Sequence, residues 1–128
     1  MKRILMALVV LAVLSGCAMS KYGDGKDSIT AASDEQLISE ACRLYDQDTK
    51  RRIARELMRR YPDWHWQDIL NQRVKVGFTV EELRLAFGEP YKINRASYGD
   101  QWVYMHGFGK YATYSYFYVR HGIVTAWN

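Results

Sequence analysis

Cysteine and histidine are the residue types in this chain that are best suited to nucleophilic or metal chemistry. The 128-residue sequence contains two cysteines and three histidines, namely Cys17, Cys42, His65, His106 and His121. The histidines lack the spacing of a zinc-ligand set, and no serine lies in a nucleophile elbow. The glycines around Phe108 open no helix, so they form no phosphate-binding loop. The sequence therefore predicts that the protein is not an enzyme and holds no metal or other cofactor.

The residues before Cys17 give that cysteine a specific chemistry. Lys2 and Arg3 precede an unbroken apolar run at positions 4–14. Such a run is too short to span a bilayer, which needs about 20 residues, but it fits the hydrophobic part of an export signal. The last residues, Leu14, Ser15, Gly16 and Cys17, resemble the lipobox of bacterial lipoprotein precursors.

This resemblance implies a covalent lipid anchor. Residues 1–16 form the signal peptide, the Cys17 thiol receives a diacylglyceryl group, and the new amine is acylated after cleavage. Membrane lipid is thus the first expected partner, because three acyl chains exceed the two signals that durable anchoring requires. Ala18, where some lipoproteins have Asp, implies for enteric-type bacteria that the protein faces the periplasm from the outer membrane.

Removal of the signal peptide leaves one domain of modest charge. The remaining chain of 112 residues suffices for one core. It keeps 16 of the 18 basic residues against 14 acidic ones. A net charge of +2 is too small to predict a nucleic-acid partner. Cys42 has no intramolecular partner if Cys17 is lipidated, so it is either a buried free thiol or part of an intermolecular disulfide.

The mature chain divides into three parts. Residues 17–32 are rich in small and polar residues without periodicity, and we predict a lipidated cysteine with a flexible tether. Residues 33–62 predict a helical hairpin, with Ser33 and Gln36 as a capping box and Pro62 as the stop. Its two apolar stripes contain Leu37, Ile38, Ala41, Cys42 and Tyr45, then Ile53, Ala54, Leu57, Met58 and Tyr61. Residues 63–128 form the remaining domain.

Three arginines of the second hairpin helix share one face. Arg51, Arg55 and Arg59 recur every four residues, and like charges at this spacing repel. Acidic residues of the first helix would relieve that repulsion by pairing across the hairpin, or the face is simply solvated. The alternative hypothesis is a contact with lipid headgroups or an acidic partner, which would offset the same repulsion.

The remaining domain begins with two predicted helices. Trp64 and Trp66 lie on a short helix over 63–72, where they are either core residues or interface anchors. Thr79 and Glu82 then form a capping box, and Phe78 packs on Leu83 as a hydrophobic staple. Gly88 and Pro90 end this second helix.

Beyond Pro90 the hydrophobic period becomes two. Alternating segments at 101–105, 113–119 and 123–127 predict three antiparallel strands in meander order. Gly107 and Gly109 lie in the first connection, and His121-Gly122 suits a tight turn in the second.

These residues resemble the BamE/SmpA/OmlA family of outer-membrane lipoproteins over about 69–128. The matching pieces are Gly77-Phe78-Thr79, Glu82-Leu83, Phe87-Gly88-Glu89-Pro90, Trp102-Val103-Tyr104, Tyr116-Phe117-Tyr118 and Gly122-Ile123-Val124. Phe78 replaces the methionine of the family. The resemblance implies an α+β fold with two helices on a three-stranded antiparallel meander, similar to the β-lactamase-inhibitor-like fold and here preceded by the helical hairpin. It also implies an accessory role in outer-membrane β-barrel assembly and contact with anionic phospholipid.

Strand alternation predicts a tyrosine-rich surface. If Ser115, Phe117 and Val119 face the helices, then Tyr114, Tyr116 and Tyr118 face away, alongside Trp102 in one of the possible registers. Tyrosine gives large contact area at low entropy cost, which favours partner binding. Alternatively, cross-strand tyrosine pairs stabilise a thin sheet, or the hairpin covers them.

Two classes of function follow from these observations. One is a non-enzymatic structural or assembly accessory at the outer membrane, bound to an envelope protein. The other is an inhibitor-like or ligand-binding module that uses the tyrosines on a soluble periplasmic protein. Lipid attachment favours the first, whereas the identity of the partner and the oligomeric state stay open.

Overall fold

Helices come first in the chain and strands last. A computed structural model describes residues 26–43 and 46–128. Its α-helices are α1 (Lys26–Ala31), α2 (Asp34–Arg43), α3 (Gln47–Arg60), α4 (Trp66–Leu70) and α5 (Val80–Phe87). Its strands are β1 (Lys92–Ala96), β2 (Gly99–His106), β3 (Thr113–Arg120) and β4 (Ile123–Trp127), with a 3₁₀ turn at Gly109–Tyr111. The predicted α+β class is confirmed, whereas the signal peptide and Cys17 lie outside the described residues.

Local hydrogen bonds explain where the helices begin. The Ser33 hydroxyl accepts from the Gln36 N–H at 3.2 Å, and the Gln36 side chain accepts from the Ser33 N–H at 2.9 Å. Thr79 and Glu82 make the same reciprocal pair. Both capping boxes are therefore confirmed. At α3 the cap is Asp46, whose carboxylate accepts from two backbone N–H groups of the first turn.

The sheet has four antiparallel strands in the order β1-β2-β3-β4. The three predicted strands correspond to β2, β3 and β4, but the predicted number was wrong because β1 precedes them. The additional strand pairs Lys92 with Val103 and Ala96 with Gly99. Its sequence, Lys-Ile-Asn-Arg-Ala, has no run of alternating apolar residues. It forms because β2 offers a row of backbone donors and acceptors along an otherwise open edge.

The other edge of the sheet is closed by the segment that leads into α5. The Gly77 N–H donates to the Val124 carbonyl, and the Val124 N–H donates to the Phe78 carbonyl, each at 2.8 Å. At the β3–β4 connection His121 and Gly122 both have positive φ, 50° and 74°. The predicted tight turn is thus confirmed, because two successive positive φ angles are typical of a two-residue hairpin loop.

Two groups of buried side chains hold the layers together. The first, between the sheet and α4–α5, comprises Ile69, Phe78, Leu83, Ala86, Trp102, Tyr104, Phe117, Val119 and Val124. The second, among α1–α3, comprises Ile29, Leu37, Ile38, Ile53 and Leu57. Trp64, Trp66 and Leu85 pack against both groups. The tryptophan pair therefore belongs to the interior contacts between the hairpin and the rest of the domain.

Helix α1 lies inside the segment predicted as a flexible tether. The prediction was wrong from residue 26 onward, because Ile29 is only 4% exposed among the apolar side chains of α2 and α3. The Arg60 guanidinium donates to the Ile29 and Thr30 carbonyls at the end of this helix, at 3.4 and 3.0 Å. A single apolar anchor produces no periodicity, so six residues gave no recognisable helical pattern.

Two arginines attach the hairpin helices to their neighbours. Arg84 of α5, 12% exposed at its side chain, binds Glu35 of α2 at 2.8 Å and Glu89 at 2.5 Å. Arg60 of α3 binds Asp34 of α2 at 2.8 Å. Because Arg84 joins α2 to α5, the hairpin packs on the helical layer of the domain.

We expect Gly99→Ala to destabilise the fold more than Gly122→Ala. Gly99 has φ +141°, and an added Cβ would lie 2.7 Å from the Val119 carbonyl oxygen. Gly122 has φ +74° with nothing within 4 Å of that position. The control should cost about 1–2 kcal/mol of backbone strain, and Gly99→Ala a further 1–3 kcal/mol or so from the clash. Urea unfolding measures the two losses of unfolding free energy. Equal losses for Gly99→Ala and Gly122→Ala would contradict the close approach of Gly99 to the Val119 carbonyl of β3.

We also expect Glu56 to contribute to acid unfolding. Hydrogen bonds from Arg59 and then Arg60 lower its pKa from 4.5 to about 2. A depressed folded-state pKa stabilises the protein above pH 4.5, and this contribution is lost as the pH falls toward 2. Glu56→Gln should therefore lower stability at pH 6 and flatten its fall over that window. The control is Asp63→Asn, which removes an exposed carboxylate outside the group formed by Glu56, Arg59 and Arg60. Urea titrations at several pH values give the free energy of unfolding. The contrary result would be a Glu56→Gln protein whose stability falls with pH as steeply as that of the unchanged protein.

Candidate functional site

The outer face of the sheet contains the tyrosines of β3. Opposite β3, the register pairs Val103 with Tyr116, Gln101 with Tyr118 and Met105 with Tyr114. We call the outward surface formed by Tyr114, Tyr116 and Tyr118 the tyrosine face. The structure thus brings together three of the four residues predicted for partner binding.

Trp102, the fourth residue, lies on the opposite side of the sheet. It pairs with Phe117 across β2 and β3 and is 9% exposed within the core. Its inclusion in the partner-binding set was therefore wrong. Alternation along β2 defines two faces, but only the pairing with β3 decides which face the tryptophan shares.

A ladder of polar side chains crosses three strands beside Tyr118. The Asn94 amide donates to the Gln101 side-chain oxygen at 2.9 Å, and the Gln101 amide donates to the Tyr118 hydroxyl at 3.2 Å. This ladder fixes the position of the Tyr118 ring through its hydroxyl. Asn94 escaped the sequence prediction because it lies on β1, the strand that was not predicted. Gln101 lies on a predicted strand, but its role depends on the bond from Asn94 and so was missed as well.

The opposite end of the tyrosine face is aromatic. The ring of Tyr91, which precedes β1, lies 6.3 Å from that of Tyr114 in a tilted arrangement. Tyr91 is 64% exposed and Tyr114 is 44% exposed. Tyr91 extends the face by a fourth tyrosine, which alternation could not reveal because this residue lies outside every strand.

No described helix covers the tyrosine face. Tyr114 is 44% exposed and Tyr118 is 38% exposed, and the hairpin contacts α5 on the other side of the sheet. The alternative in which the hairpin shields these tyrosines was therefore wrong. Among the strand residues of the described pairs, those that point to this side include the basic residues Lys92 and Arg120. None of them is an aspartate or a glutamate. The tyrosine face is thus partly solvent-exposed, aromatic and weakly basic.

A shallow depression of about 380 Å³ adjoins Tyr118 at the β1–β2 turn. Its lining includes Asn94, Tyr98, Tyr118 and Arg120. The Arg120 guanidinium donates to the Tyr98 carbonyl at 3.1 Å and closes one side of the depression. The tyrosine face is consequently a contoured surface with hydrogen-bonding groups at one end and rings at the other.

The arginine stripe of α3 is largely compensated within its own helix. Arg51 binds Asp48 at 3.0 Å and Arg59 binds Glu56 at 2.7 Å, each one turn earlier. Arg55 is exposed. Together with Arg51 it lines a groove of about 540 Å³, whose lining also includes apolar residues such as Met58 and Leu70. Pairing across the hairpin uses Arg60 instead. The stripe's contact with headgroups or an acidic partner stays a prediction.

Cys42 is a free, half-buried thiol in the structure. Its sulfur donates to the Arg84 carbonyl at 3.3 Å. Burial, followed by the nearby charge of Glu89, raises its pKa from 9.0 to about 11. Because the thiolate is the reactive form, this environment disfavours the intermolecular disulfide that the sequence left open.

The histidines take separate positions. His65 Nδ1 lies 2.7 Å from the buried Glu82 carboxylate, His106 Nε2 lies 2.9 Å from the Ser115 hydroxyl, and His121 is in the β3–β4 turn. Across residues 26–43 and 46–128, no group of three histidines, cysteines or carboxylates could hold a metal ion. In the same ranges no helix has the length and hydropathy of a membrane span.

Comparison with known proteins identifies the N-terminal segment. Residues 1–18 match the family model described as a prokaryotic membrane lipoprotein lipid attachment site. The match indicates a bacterial lipoprotein, held in an envelope membrane by lipid on Cys17, and it covers Leu14, Ser15 and Gly16. No curated protein and no solved structure matches the chain.

Proposed function

We propose that this lipid-anchored protein is a non-enzymatic docking module of the outer membrane, which binds an envelope protein through its tyrosine face. The observation that carries the proposal is the uncovered outer side of the sheet, where Tyr114, Tyr116 and Tyr118 are in line on one strand. An antiparallel sheet that packs on the core with one face usually presents polar residues to water on its other face. Three successive outward tyrosines instead form the kind of surface that is enriched at binding hot spots.

The geometry of the face supports binding at low entropic cost. The Tyr118 hydroxyl is already hydrogen-bonded to Gln101 at 3.2 Å, and the Tyr114 ring is beside that of Tyr91. Tyrosine has few rotatable bonds, so little side-chain freedom is lost when a partner covers such rings. The main gain would come from burying the ring faces, with backbone and side-chain hydrogen bonds at the margins.

The lipid anchor supports a partner that is itself in the envelope. Confinement to a membrane raises the local concentration of the module near other membrane-bound proteins, which strengthens a modest contact. Ala18 and the resemblance to the BamE/SmpA/OmlA family favour the outer membrane, the periplasmic side and an accessory role in barrel-protein assembly. The second candidate function is that of an inhibitor-like module, which would bind a soluble periplasmic protein. The exposed tyrosine rings, taken alone, would also suit this function.

Site-specific crosslinking tests the proposal. A photoreactive residue at Tyr118, or at Tyr114, should crosslink in cells to an integral membrane protein or a membrane-anchored protein of the envelope. The matched control is Gln67 on α4, which is exposed on the helical side, and should give little product. Loss of a hot-spot ring costs roughly 2 kcal/mol or more, so Tyr114→Ser should reduce the Tyr118 product at least about tenfold.

Two outcomes would contradict the proposal in different ways. A soluble periplasmic protein as the main product from the tyrosine face would support the inhibitor-like alternative. Equal products from Tyr118 and Gln67 would show that the face has no specific partner. Urea unfolding of Tyr114→Ser separates lost binding from lost folding. We expect its unfolding free energy to stay within about 1 kcal/mol of the unchanged protein, because Tyr114 is 44% exposed and lies outside the buried core.

A further inference from the structure

The loop between β2 and β3 presents aromatic side chains that nothing described in the structure covers. Phe108 is 85% exposed and Tyr111 is 77% exposed. The loop is bonded within itself, since the Tyr111 N–H donates to the Phe108 carbonyl at 3.3 Å and the Ala112 N–H to the Gly109 carbonyl at 3.1 Å. Positive φ angles at Gly107 and Gly109 allow this tight path. The two rings therefore protrude from a short, folded loop.

The loop itself carries a positive charge, from Lys110. Lys110 lies between the two aromatic residues, with its ammonium 5.0 Å from the centre of the Tyr111 ring. The sequence from Gln101 to Asn128 contains no aspartate or glutamate. Exposed aromatic rings beside a lysine are typical of side chains at the boundary between lipid headgroups and acyl chains.

We propose that Phe108 and Tyr111 insert into the headgroup region of the bilayer that contains the acyl chains of Cys17, with Lys110 at the phosphates. The occupant follows from the anchor, because the protein is attached to a membrane at residue 17. Helix α1 begins at Lys26, nine residues later. Nine residues reach at most roughly 30 Å, comparable with the diameter of a domain of this size, so this loop can reach the surface.

Insertion of the loop would orient the tyrosine face. The loop connects the ends of β2 and β3, so a membrane at that end leaves the strands projecting away from the surface. The tyrosine face then points sideways along the membrane, toward proteins embedded in it. The lipid contact itself does not depend on the proposed partner, and a protein-free membrane suffices to test it.

A depth measurement on the acylated protein tests the insertion. Phe108→Cys and, as the matched control, Tyr98→Cys carry an environment-sensitive nitrobenzoxadiazole probe in a Cys42→Ala background. Tyr98 is 75% exposed at the opposite end of β2. Both proteins are reconstituted in vesicles of phosphatidylethanolamine and phosphatidylglycerol that contain spin-labelled lipids. We expect at least twofold stronger quenching at position 108 than at position 98, and a decrease when Tyr111→Ser is added.

Equal quenching at positions 108 and 98 would overturn the insertion, since the tether alone would then account for proximity to lipid. The same holds if the probe at 108 changes its emission only after other envelope proteins are added, because the loop would then be a protein contact. Crosslinking from Tyr118 is a separate readout, so failure of the lipid contact and failure of the proposed partner binding are distinguishable.

Discussion

The alternation of side chains along β3 is the constraint on which the rest of the structure depends. Phe117 and Val119 must contact the helices, because they complete the core with Val124 and the residues of α5. Their neighbours Tyr116 and Tyr118 are then forced to the other side. The exposed aromatic surface is thus a direct consequence of how the core is built, and one shift in register would exchange the two faces.

Apolar packing and ion pairs together hold the hairpin on the helical side of the sheet, where Trp64, Trp66 and Leu85 contact both groups of buried side chains. Arg84 is on the helix that packs against the sheet, and it binds Glu35 and the Ser39 hydroxyl of α2. The hairpin is thereby held on the helical layer, together with α1, and the tyrosine face stays accessible. The same arrangement keeps the arginine stripe of α3 and the tyrosine face on different sides of the molecule. One flat partner could not contact both surfaces at once.

Local signals made much of this fold predictable. The capping boxes at Ser33 and Thr79 and the turn at His121-Gly122 involve residues close in sequence, so the sequence alone was sufficient. Helix α1 and β1 depend on distant partners instead: Arg60 holds the end of α1 from 30 residues away, and β1 forms on the edge of β2. The prediction for Trp102 was wrong for a related reason, since the pairing of β2 with β3 decides which β3 residues share a face with Trp102. Tyr91 and Asn94 were missed along with β1.

Lipid on Cys17 confines this small domain to a membrane. Mass spectrometry of the N-terminal peptide from the protein purified from membranes tests this attachment most directly. We expect a peptide that begins at Cys17, with a diacylglyceryl group on the sulfur and an acyl chain on the amine. A peptide with an unmodified Cys17, or with a different first residue, would contradict it.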